Sequence, residues 1–100
     1  MAKEKTRVII PRIDVAHNET DTGLKISVNL AGSLKENVDL EMGKEGFCVK
    51  AEAERFKYET CFMLAHRVKP QEAKANFEAG LLNIEVPFDE TMHGYKVAIE

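Results

Sequence analysis

Short runs in which apolar and polar residues alternate recur along this chain, and they constrain its fold more than any other feature. Every second residue is apolar in the run 24–30, and the run 82–86 repeats the pattern before Pro87. A period of two places successive side chains on opposite faces, which is typical of a half-buried β-strand. Because no long helical period accompanies these many short runs, the sequence predicts an all-β sandwich.

Two further alternating runs, 47–52 and 57–64, are predicted to pair as a hairpin across a short connection at residues 53–56. Pairing around that connection places aromatic residues together on one face and opposite charges together on the other, which favours a single register. The predicted partners are Phe47 with Phe62, Cys48 with Cys61, Val49 with Thr60, Lys50 with Glu59, and Glu52 with Lys57.

Composition limits what kind of protein this chain can be. With 100 residues, 44% of them hydrophobic, it has enough material for one domain with one core. A net charge of −3 gives no basic field for nucleic acid or an anionic membrane surface. No apolar run approaches the roughly 18 residues of a membrane span, and the first residues lack the apolar core of a signal peptide, so we expect a cytoplasmic protein.

The spacing of Ala75, Gly80 and Leu82 resembles the A-x-x-x-n-G-x-L signature of the α-crystallin domain of small heat-shock proteins. The resemblance extends from Pro11 to Phe88 and includes an opening P-x-x-D-hydrophobic segment. It implies an immunoglobulin-like antiparallel β-sandwich at residues 11–88, with a short N-terminal arm at residues 1–10 and a C-terminal extension at residues 89–100.

The same resemblance implies an ATP-independent chaperone, a holdase, that captures partly unfolded proteins in an apolar groove without a cofactor. The groove would lie between two strands and be lined by Val38, Leu40, Ala75, Phe77 and Leu82. An alternative is that these side chains only form the sandwich core, and for Leu82 we prefer the core role.

The end of the chain adds a second resemblance, because Val97-Ala98-Ile99 is similar to the I-x-I motif of the same family. In that family the motif docks its two branched side chains into the groove of a neighbouring domain, as an extended peptide added to a sheet edge. The alternative is that Val97 and Ile99 pack on their own domain or remain in solvent.

Two departures from the family pattern bear on assembly. The loop that often carries a strand swapped between subunits is reduced here to residues 53–56, and Thr60 stands where an arginine is common. We therefore expect self-association into a dimer or small oligomer through the exposed edge at residues 57–64, and not by a strand swap. The alternative function is that of the related CS-type co-chaperone domain, a usually monomeric adaptor for one defined protein partner.

Side chains able to do chemistry are few. Cys48 and Cys61 could form a redox pair and make the protein a redox sensor, but two reduced cysteines under a sheet face are the preferred interpretation. The histidines at positions 17, 66 and 93 fall in separate predicted loops and are interpreted as surface residues. No nucleophile motif, metal-ligand spacing or phosphate-binding loop is present, so we expect neither an enzyme nor a metalloprotein.

Overall fold

Eight strands form the fold in a computed structural model that describes residues 7–89 and 97–100. Helical structure in these residues consists of two 3₁₀ turns, Lys35–Asn37 and Pro70–Glu72, and no described helix is long and apolar enough to cross a membrane. The strands, in chain order, are β1 (Arg7–Ile9), β2 (Ile13–His17), β3 (Gly23–Asn29), β4 (Val38–Met42), β5 (Gly46–Glu52), β6 (Phe56–Met63), β7 (Lys74–Glu78) and β8 (Leu81–Pro87).

The strands form two four-stranded sheets with the orders β1-β6-β5-β4 and β2-β3-β8-β7. The apolar residues of the alternating runs face each other between the sheets, because a period of two directs them all to one side. The buried core consists of Leu24, Ile26, Val28, Leu30, Phe47, Val49, Ala51, Tyr58, Val68, Leu82, Ile84 and Val86. The all-β sandwich predicted from the sequence is confirmed.

The predicted register of the central hairpin is also confirmed. Strands β5 and β6 pair through seven positions, and every predicted partner lies opposite its mate. Phe47 and Phe62 meet on the inner face with ring centroids 5.8 Å apart. On the outer face an ion pair joins Lys57 Nζ to Glu59 Oε1 at 3.6 Å, so this charge contact runs along β6.

The prediction of a free edge along residues 57–64 is wrong for the beginning of β6. There β1 pairs in parallel with residues 56–58, with Arg7 opposite Phe56 and Ile9 opposite Tyr58. Val8 and Ile9 thus belong to an edge strand, β1. No described strand pairs with the outer edge of β6 at residues 59–63.

The turn between β7 and β8 explains the glycine of the sequence signature. Ala79 and Gly80 have φ values of 50° and 82°, a left-handed conformation that glycine adopts without steric penalty. A Cβ on Gly80 would lie 3.0 Å from Ala31 Cα, and the Gly80 carbonyl accepts a hydrogen bond from the Leu30 amide at 2.7 Å. Gly80 therefore both makes the turn and allows the segment after β3 to approach it.

Candidate functional site: an apolar groove between two sheet edges

A groove lies between β4, at the edge of one sheet, and β7, at the edge of the other. Its cavity of about 310 Å³ is lined by Lys35, Val38, Leu40, Ala75, Asn76, Phe77 and Leu82. The five residues proposed from the sequence are all among them. Their role in binding stays a prediction, but the fold brings them together.

Each groove residue owes its position to strand alternation. Val38 and Leu40 are two apart on β4, and Ala75 and Phe77 are two apart on β7, so each pair faces the space between the sheets. Leu82 lies opposite Phe77 on β8 and is only 4% exposed, which makes it the floor of the groove.

Burial divides these residues between stability and availability. Leu82 belongs to the core, which is the role expected for it from the sequence, and it also lines the groove. Val38, Leu40 and Phe77 are half-buried against the core, whereas Ala75 is exposed. The groove thus has a buried floor and apolar walls that remain partly open to solvent.

The two strands that border the groove are both edge strands of their sheets. No other described strand pairs with the outer edge of β4 or of β7. Unpaired backbone N–H and C=O groups on such an edge can add an extended peptide as a further strand, with alternate side chains entering pockets. The rim also carries Lys35 and Asn76, which supply one positive charge and one amide.

The residues of the tail motif are not packed within the chain. Val97 is 78% exposed and Ile99 is 98% exposed. Of the two alternatives, packing on the same domain does not occur in this structure. Two branched apolar side chains in solvent, two residues apart, have the spacing that an extended peptide needs for adjacent pockets on one side.

Cys48 and Cys61 lie opposite each other as predicted, with Cα atoms 4.0 Å apart, but they are joined in a disulfide. The interpretation as two reduced cysteines is therefore corrected. Their place in the sheet is also different from the one expected, because they project from the outer face while Phe47 and Val49 on β5 are buried. Direct pairing on neighbouring strands brought the sulfur atoms within bonding reach.

The fold also brings together two histidines that were predicted to lie in separate loops. His17, at the end of β2, meets His66 edge to face with ring centroids 5.0 Å apart, and both rings contact Phe88. Asp21 forms a short contact with Nδ1 of His17. Both histidines are exposed, and His93 lies outside the described residues. Within the described ranges no three His, Cys, Asp or Glu side chains are grouped to hold a metal ion.

Solved structures with a similar architecture include small heat-shock proteins. Heat shock protein 16.0 of Schizosaccharomyces pombe has a TM-score of 0.71 at 20% identity, covering 92% of this chain and 76% of its own. For hspA of Xanthomonas axonopodis the TM-score is 0.67 at 18% identity, covering 80% and 94%. A small heat-shock protein of Xylella fastidiosa gives 0.68 at 15% identity, covering 92% and 97%.

The fold and groove therefore define a β-sandwich domain of the α-crystallin type, and the resemblance inferred from the sequence is confirmed at the level of fold. The family model of the CS domain matches residues 13–87, three quarters of the chain. The chain belongs to the CS-domain family. A comparison with the sequences of curated proteins gives no significant match.

Proposed function

We propose that this protein is a chaperone-type protein that acts as an ATP-independent holdase, capturing extended apolar segments of partly unfolded proteins in the groove between β4 and β7. The observation that carries the proposal is the combination of an apolar groove with an unpaired sheet edge on each side. The fold shared with small heat-shock proteins supports the general role.

Capture in such a groove needs no nucleotide. An unfolded segment gains backbone hydrogen bonds from a strand edge and buries alternate apolar side chains against Val38, Leu40 and Phe77. Each contact is small, and ordering a flexible segment opposes binding, so the resulting affinity is weak and reversible. Weak, reversible binding suits a protein that shields clients from aggregation and releases them for refolding.

The tail motif is the natural competitor for the groove. Val97 and Ile99 are exposed, have the spacing of alternate strand residues, and are followed by Glu100, whose charge complements that of Lys35 on the rim. Docking of this segment into the groove of a second copy would produce a dimer or small oligomer. The docked tail would also occupy the groove until a client displaces it.

The holdase proposal is tested by heating an unrelated aggregating protein with increasing amounts of this one and following light scattering. Suppression at near-stoichiometric ratios is expected. No protection at any ratio, together with a monomeric mass on sizing, would remove the proposal. Deleting residues 97–100 is expected to lower the oligomer mass, and an unchanged mass would remove tail docking while leaving client capture open to its own assay.

The alternative function is that of a co-chaperone or adaptor that binds one defined protein partner without general holdase activity, and the CS-domain match favours it. The short connection between β5 and β6 is consistent with a domain that does not swap strands. An adaptor of this kind would give no general protection against aggregation and would bind its one partner at a defined ratio. Sizing alone and with candidate chaperones would separate the two functions.

A further inference from the structure

The disulfide between Cys48 and Cys61 lies on the surface, away from the groove. Cys61 is exposed and Cys48 is half-buried. Phe47 and Val49, the neighbours of Cys48 on β5, point into the core instead. Beside it is an open depression of about 660 Å³ whose lining includes Gly46, Phe62 and Met63, the last of them 72% exposed. A thiol in solution can therefore reach the bond without unfolding the domain.

The two ends of the disulfide differ in how they can be approached. Cys61 is exposed, whereas Cys48 is half-buried. Cys61 lies on the part of β6, residues 59–63, whose outer edge pairs with no described strand. Cys48 lies on β5, between β4 and β6, and Glu41 on β4 is its register partner. The greater exposure of Cys61 and the unpaired edge of β6 beside it select Cys61 as the sulfur that is attacked.

From this geometry we propose that the Cys48–Cys61 disulfide is a thiol–disulfide exchange site for dithiol reductants, with Cys61 Sγ as the electrophile and Cys48 as the leaving thiolate. A thiolate of the reductant bonds to Cys61 Sγ while the S–S bond breaks, and Cys48 leaves with the electron pair and takes up a proton. The second thiolate of the reductant then attacks the reductant's sulfur in the mixed disulfide. Cys61 leaves as a thiolate and is protonated. The protein gains two electrons and two protons, and the dithiol becomes a disulfide.

The fold can tolerate this cycle because the hairpin does not depend on the crosslink. The ladder between β5 and β6 runs through seven pairs, and Phe47 and Phe62 pack beneath it on the inner face. The exchange site is separate from the groove between β4 and β7. A negative test of thiol–disulfide exchange therefore leaves the proposed holdase activity unaffected.

The first test measures reduction of the folded protein by dithiothreitol, with thiols trapped by alkylation and counted by mass. The rate is expected to be at least about one-tenth of that for the same protein unfolded in guanidinium, with the β-sheet circular dichroism retained. A rate below one-tenth, loss of the sheet signal on reduction, or two free thiols persisting in folded protein after exposure to a disulfide oxidant would each overturn the proposal.

The second test locates the attacked sulfur. Folded protein is treated briefly with reduced glutathione, quenched in acid and mapped by peptide mass. The mixed disulfide is expected on Cys61 at least about fivefold over Cys48, and an equal or reversed distribution would overturn the assignment.

Discussion

Replacing both Cys48 and Cys61 by serine removes the disulfide crosslink between β5 and β6, and the structure gives the size of the expected effect. The crosslink joins residues with a sequence separation of 13. Closing a loop of that length removes conformational entropy from the unfolded chain equivalent to about 3 kcal/mol at 25 °C. The substitution acts on the unfolded state, since the partner strands remain paired on both sides of the crosslink.

For a domain of this size, a loss of about 3 kcal/mol corresponds to a fall in Tm of roughly 12–24 °C. The variant should nevertheless fold at 25 °C, because domains are typically stable by about 5–15 kcal/mol and the core between the sheets is untouched. Thermal unfolding followed by far-UV circular dichroism measures this change.

The reduced wild-type protein is the matched control for the serine side chains. It should unfold at the same temperature as the Cys48→Ser/Cys61→Ser variant, since both lack only the crosslink. A Tm for both proteins within a few degrees of the oxidised wild type would refute the entropic reasoning. A large fall in the variant but not in the reduced wild type would assign the effect to the serines instead.

The remaining predictions concern stability and are measured by chemical denaturation. Gly80→Ala should cost about 1–2 kcal/mol because of the positive φ and the close Ala31 backbone, whereas Gly43→Ala, whose added Cβ meets nothing nearer than 3.9 Å, should change stability by less than about 0.5 kcal/mol. Equal effects would contradict this explanation of the signature glycine. Tyr58→Phe should cost about 1 kcal/mol by removing the 2.8 Å hydrogen bond from its hydroxyl to the Ala31 carbonyl; an unchanged midpoint would mean that this bond adds nothing. Ile84→Ala should cost about 2–5 kcal/mol through the cavity left between the sheets, and a loss below 1 kcal/mol would argue against a close-packed core there.

Much of the fold could be predicted from the sequence because its signals are local. The register of β5 and β6 followed from a short connection and from matching aromatic and charged positions, and it placed Cys48 opposite Cys61. The groove residues were predictable through the family resemblance, since alternation alone shows that Val38 and Phe77 face inward but not that their two strands border the same cavity.

Other features depend on contacts that a local pattern does not encode. The three residues of β1 are too few for a period, and a parallel partner 49 positions away in sequence leaves no turn signal, so its pairing with residues 56–58 was missed. His17 and His66 meet only because the link after β6 returns to the second sheet, where Val68 bridges to Phe88. The sequence pattern predicts that Cys48 and Cys61 lie opposite each other. It does not predict whether their sulfur atoms are bonded.

The central claim, that the groove captures clients, is tested most directly by comparing Ala75→Lys with Ala16→Lys in the aggregation assay. Both alanines are exposed and lie on edge strands of the same sheet, but only Ala75 lines the groove. A lysine at position 75 places a charged chain among apolar walls beside Lys35, which should weaken capture several-fold, whereas a lysine at position 16 should leave protection at the wild-type level. Equal protection by both variants, each with its β-sheet circular dichroism intact, would contradict the claim.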